Sequence, residues 1–176
     1  MRFCLHRCFL PLLASLLLTG CGFSPIYAPQ PAGESESYQD LASQFAMIEV
    51  AQPGDRLGQQ VRNRLIGMLS PRGTPDVPRY GLRVDLDEKL EGFAFRQDRA
   101  ITRQKLQLDA LITLVDLKTG DVAVADDLSA WMTYDVVQSD FANLSAQRDA
   151  RERTANQIVD RIVSRLARHF RQKDPS

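Results

Sequence analysis

Between Ser139 and Arg171 the chain contains neither proline nor glycine. Ala146, Ala150, Ile158, Ile162, Leu166 and Phe170 recur there at helical spacing, and Val159 and Val163 widen the stripe. A helix this long gains most of its stability by burying its apolar stripe, so it needs a second layer to pack against. The preceding residues supply strands for that layer. Tyr80, Leu82, Val84 and Leu86 alternate with Arg83, Asp85 and Asp87, the period-two pattern of a strand with one dry and one wet face. Leu106, Leu108, Ala110, Ile112 and Leu114 repeat the pattern, Lys118-Thr119-Gly120 predicts a tight turn, and Val122 to Tyr134 returns as a further strand. Within it Asp126-Asp127 predicts a bulge or a wet edge rather than a catalytic carboxylate pair.

Upstream, Phe45 to Ala51 has strand length and composition, and Pro53-Gly54 stops it. Asp55 then predicts a helix cap, with Leu57, Val61, Leu65, Met68 and Leu69 on one face of a helix reaching about Ser70. Pro71, Gly73, Pro75 and Pro78 make the next stretch a loop. The order β-α-β-β-β-α predicts a two-layer α+β sandwich, with two helices on one face of a four-stranded, mostly antiparallel sheet and the other face free.

The amino terminus has a short basic head, Met1 to Arg7, followed by an apolar run from Phe9 to Leu18 and then Leu18-Thr19-Gly20-Cys21. The run is too short to span a bilayer and fits a cleaved export signal. Leu-Thr-Gly-Cys resembles the bacterial lipobox, which implies that Cys21 carries the lipid and becomes the first mature residue. Gly22 rather than Asp follows it, and resemblance to sorted lipoproteins then implies release to the outer membrane rather than retention in the inner one. Ser24 to Asp40, with three prolines and many small polar residues, is expected to be an extended tether. The expected organisation is a signal peptide at 1–20, a lipidated tether at 21–43, a single domain at 44–172 and a tail at 173–176.

Cleavage would leave 20 basic and 22 acidic side chains, a net charge of −2 that gives no bulk attraction for nucleic acid. It would also leave His169 as the only histidine and Cys21 as the only cysteine, so the usual metal sets and a Ser-His-Asp triad have no raw material. Gly54, Gly58, Gly67 and Gly73 are too scattered for a phosphate loop. Asp85, Asp87, Glu88, Asp126 and Asp127 read as polar strand faces. The expectation is a protein without enzymatic activity, metal or cofactor apart from the lipid on Cys21.

Two basic features stand out. Arg96, Arg99, Arg103 and Lys105 surround one acid, Asp98, at the junction of two strands, and Lys118 lies in the later turn. Guanidinium and ammonium groups so clustered can bind phosphate through charge-assisted hydrogen bonds, although an ordinary charged turn has the same composition. From Arg148 to Lys173 there are eight Arg or Lys against three Asp or Glu, which fits a solvated helix face or a surface for an acidic partner.

The segment Cys21 to Tyr27 (CGFSPIY), the strand-helix opening, the hairpin and SDFANLSAQRDA leading into the long helix together resemble the lipopolysaccharide-assembly lipoprotein family, LptE. Its most specific pieces are Cys21-Gly22-Phe23 with Pro25 and Tyr27, and Asp149-Ala150; Ala28 departs from the glycine frequent there. The resemblance implies two helices on a four-stranded sheet, an outer-membrane location facing the periplasm, and a place as a plug in the LptD β-barrel. It also implies a part in barrel assembly and in lipopolysaccharide transport. On this reading Arg96, Arg99, Arg103, Lys105 and Lys118 are the candidate lipopolysaccharide-binding residues. The alternatives are a lipoprotein adaptor for a cell-wall or other envelope enzyme and a carboxylate-dependent enzyme.

Overall fold

A computed structural model of the protein describes residues 40–71, 73–95 and 101–173, with side chains for all of these but 93–95, 101 and 173. The elements are a short helix α1 (residues 40–46), β1 (Ile48–Val50), α2 (Arg56–Leu69), β2 (Tyr80–Phe95), β3 (Ile101–Asp116), β4 (Val122–Asp135) and α3 (Asp140–Lys173). The strands form one sheet in the order β1-β2-β3-β4. β1 runs parallel to β2, as expected for strands joined through a helix, and the other two pairings are antiparallel. This is a two-layer α+β sandwich with a mostly antiparallel sheet.

Two details depart from the sequence reading. The strand expected at Phe45 to Ala51 is confined to Ile48–Val50, because Leu41 and Phe45, four residues apart, lie on one face of α1 and pack into the core. Helix α1 begins at Asp40, the first of the described residues. The bulge expected at Asp126-Asp127 is absent: both residues pair in unbroken register with Ile112 and Leu111, and the irregularity falls opposite Leu114 and Val115. The wet-edge half of that expectation holds, since β4 is an edge strand and Asp127 is exposed.

The core forms where the period-two and helical patterns meet. Tyr80 and Leu82 of β2, Leu108, Ala110, Ile112 and Leu114 of β3, and Val124 and Ala130 of β4 are buried beneath Leu65 of α2 and Ile158, Ile162 and Leu166 of α3. Asp55 caps α2 by accepting from the Gly58 amide at 3.2 Å. The Lys118-Thr119-Gly120 turn closes as expected, with Gly120 at φ 80° and its amide donating to the Asp116 carbonyl at 2.7 Å. Among the described residues no helix is long and apolar enough to cross a membrane.

Candidate interaction surface

All three helices pack on one sheet face, and the side chains that alternate away from them form a second face along three long strands. The residue register sets its rows: Lys89 lies beside Gln107 and Trp131, Asp87 beside Asp109 and Ser129, and Glu91 beside Lys105 and Thr133. A polar chain crosses it. Lys89 Nζ donates to Asp109 at 2.7 Å, Gln107 Nε2 donates to the other Asp109 oxygen at 2.8 Å, and Lys105 Nζ donates to Gln107 Oε1 at 2.8 Å. Lys105 Nζ also lies 6.0 Å from the centre of the Trp131 ring, at the outer limit of a cation–π contact. The Lys89 ammonium, helped by Gln107, holds the Asp109 carboxyl below the usual carboxylate range. In return Asp109, with Asp87 after it, raises the Lys89 ammonium. Three large apolar side chains of the strands are exposed on this mostly polar face, Leu111 at 54%, Trp131 at 55% and, beside Val115 at the turn end, Val122 at 58%.

The helix-side polar groups belong to the fold itself. Arg151 of α3 clasps Glu88 of β2 through two bonds of 2.7 and 2.6 Å, and this carboxylate raises the guanidinium further. Arg165 meets Asp126 at 2.5 Å and holds its carboxyl low, while Arg161 donates to the Ser129 carbonyl. The Tyr134 hydroxyl, raised chiefly by desolvation, donates to Gln104 Oε1. The arginine-rich helix is therefore partly engaged with its own sheet, a third outcome beside the solvated face and the acidic-partner surface. Four of the five carboxylates weighed for catalysis are ion-paired one by one, Asp85 with Arg83 at 3.5 Å, Asp87 with Lys89 at 3.2 Å, Glu88 with Arg151 and Asp126 with Arg165, while Asp127 is exposed on the edge strand. No group of His, Cys, Asp and Glu that could hold a metal ion occurs among the described residues.

Of the candidate lipopolysaccharide-binding residues, Arg96 and Arg99 lie outside the described residues, as does Cys21. Arg103 and Lys105 come together on the open face of β3, Arg103 bonded to Asp135 of β4 at 2.7 Å. Lys118 is elsewhere. It follows the opposite end of β3, roughly 40 Å away at the rise of an extended strand, and cannot share a site with that pair. Sequence reasoning did not single out Trp131 and Leu111. The alternation in each strand carries that information, because both sit out of phase with the buried residues of their strands. A separate cleft of about 720 Å³ opens on the helix side between the start of α2, β2 and α3, lined among others by Arg56, Gln60, Glu88, Arg148 and Arg151.

No family model and no curated protein matches the chain. Solved structures match its fold. A candidate lipoprotein from Caulobacter crescentus CB15 is 25% identical, with a TM-score of 0.64 over 78% of this chain and 99% of that one. The rare lipoprotein B from Shewanella oneidensis is 13% identical, with a TM-score of 0.54 over 68% of this chain and 91% of that one. A minor lipoprotein from Acinetobacter baumannii is 15% identical, with a TM-score of 0.52 over 70% and 90% of the two chains. The chain thus shares the fold of several bacterial lipoproteins, in agreement with a lipoprotein role in the cell envelope.

Proposed function

We propose that this chain is an outer-membrane lipoprotein, anchored through Cys21, that plugs an LptD-like β-barrel, assists its assembly and takes part in moving lipopolysaccharide to the outer leaflet. The observation that carries the reading is the open sheet face. It spans three strands of 16, 16 and 14 residues and presents mainly ion-paired charges, amides and hydroxyls, with Leu111, Trp131 and, at the turn end, Val122 as its large exposed apolar side chains. Such a face is too long and polar to be buried against a hydrophobic partner, and it matches the polar lumen of an outer-membrane barrel. The lipoprotein fold and the lipobox resemblance support the membrane side of the reading, and the family resemblance supplies the barrel and its cargo.

A photo-crosslinking residue placed at Thr113 or Trp131 of the full chain tests this in intact cells. The expected product is a stoichiometric adduct with an integral outer-membrane β-barrel from both positions, and none from Asn156 on the helix layer at comparable yield. Adducts exclusively with soluble periplasmic proteins or envelope enzymes would replace the plug by an adaptor.

A further inference from the structure

The two edges of the sheet are finished differently. On the β4 side, Arg161 reaches from α3 to the Ser129 carbonyl, so a helix side chain occupies an acceptor on the strand's margin. On the other side β1 covers only Tyr80 to Leu82 of a 16-residue strand. Pairing reaches the Ala51 amide and stops where Pro53 follows, while Arg62 Nε takes the Val50 carbonyl on the outer margin of β1 at 3.1 Å. The Tyr80 amide donates to Met47 and the Leu82 carbonyl accepts from Ala51, so the backbone groups of these even-numbered residues point toward β1. Strand alternation carries the same direction to Val84, Leu86, Glu88 and Leu90. Their amides and carbonyls form a free ladder beyond the end of β1, without hydrogen-bond partners among the described residues.

The surroundings of this ladder specify what it would take. Val84 and Leu86 line a narrow, mostly apolar crevice of about 10 Å³ with Val50, Pro53 and Val61, and Arg62 at its margin. One step along, Glu88 opens into the 720 Å³ cleft, whose lining balances three arginines against Glu88, Glu152 and the helix-capping Asp55; Arg151 is committed to Glu88, whereas Arg56 and Arg148 meet no carboxylate in any ion pair among the described residues. We propose that the β2 edge from Val84 to Leu90 accepts an added β-strand from a partner polypeptide. The strand has apolar side chains opposite Val84 and Leu86 and a carboxylate opposite Glu88 that pairs with Arg56 and Arg148. Main-chain bonds provide the attachment, and the spacing of side chains provides selectivity. This does not depend on the barrel-plug reading.

The probe is a capped seven-residue peptide with valine at positions one and three, glutamate at five and threonine elsewhere, tested with its reversed-order counterpart against the full chain in detergent micelles. Amide hydrogen exchange is the readout. One of the two peptides should slow exchange at the Leu86, Glu88 and Leu90 amides at least ten-fold while leaving β4 unchanged. Replacing its glutamate by lysine, or making the exposed Arg56→Glu/Arg148→Glu double variant, should weaken binding roughly ten-fold, as loss of a charge-assisted contact does. Leu90→Pro, which removes an outward amide without touching the β2–β3 ladder, should shorten the protected stretch, while Thr133→Pro on the β4 edge should have no effect. Absence of protection with both peptides at millimolar concentration overturns the proposal. So does protection located on β4, or binding indifferent to both the arginine reversals and Leu90→Pro.

Discussion

Two glycines of α2 look alike in the sequence and differ in space. A Cβ on Gly58 would lie 2.5 Å from Asp55 Oδ1 and 2.5 Å from Pro53 Cβ, whereas one on Gly67 would meet nothing within 4 Å. Gly58→Ala must break the helix cap or displace Pro53 and is expected to destabilise by about 1–3 kcal/mol. Gly67→Ala is expected to stabilise by about 0.5–1 kcal/mol, through the ordinary helix preference for alanine. Urea denaturation of the pair tests the opposite signs. Asp126 makes a pH-dependent case. Arg165 holds its carboxyl below the unfolded value, so the pair contributes stability above about pH 4 and loses it as pH falls through the lower folded value. Asp126→Asn should therefore lower Tm at pH 7, and its gap to the parent should narrow progressively below pH 4. The Asp55 cap and the Gly120 turn were legible in the sequence because each acts on its nearest neighbours. The partnership of Asp126 was not, because Arg165 is 39 residues away and only the stacking of α3 on β4 brings them together.

At the scale of elements, the three long strands and two longer helices follow from unmistakable periodicities, 2 in one case and 3.6 in the other. β1 and α1 lie where this signal fails. An apolar run such as Phe45 to Ala51 is compatible with either element, and the Leu41–Phe45 spacing that favours a helix begins inside a stretch whose composition reads as tether. The start of α3 shows how a local polar clamp sets a boundary. The Asn143 side chain both accepts from the Val137 amide at 2.9 Å and donates to the Val137 carbonyl at 2.8 Å, and its own amide donates to the Ser139 carbonyl at 3.0 Å. Asn143 thereby folds the chain leaving β4 back onto the first turn. Asn143→Ala removes both side-chain bonds at an exposed site, so a loss of about 1–2 kcal/mol is expected. Hydrogen exchange should show faster amides at 137–146 and unchanged ones at 155–166. Uniform acceleration along the whole helix would mean that the clamp is not what fixes its start.

For the whole molecule, the question is which charges can act together. Composition grouped Arg103 and Lys105 with Lys118, but the length of β3 separates them, a consequence that a list of cations does not contain. Arg103 and Lys105 also differ in how available they are. Arg103 is bonded to Asp135 at 2.7 Å, while Lys105 is held by neutral Gln107 and lies 3.9 Å from Glu91. A phosphate arriving at this end of the face has to compete with Asp135 for Arg103. On the proposed function, neutralising Arg103 and Lys105 to glutamine should weaken lipopolysaccharide binding about ten-fold or more and flatten its dependence on salt. Lys118→Gln should leave both unchanged. Asp135→Asn should strengthen binding by freeing the Arg103 guanidinium. The chain's single tryptophan, Trp131, sits beside Lys105 and provides an intrinsic fluorescence signal for the titration. If Lys118→Gln proved as damaging as the double neutralisation, or Asp135→Asn weakened binding, lipopolysaccharide would have to engage the opposite end of the sheet and the distal pair would lose its role.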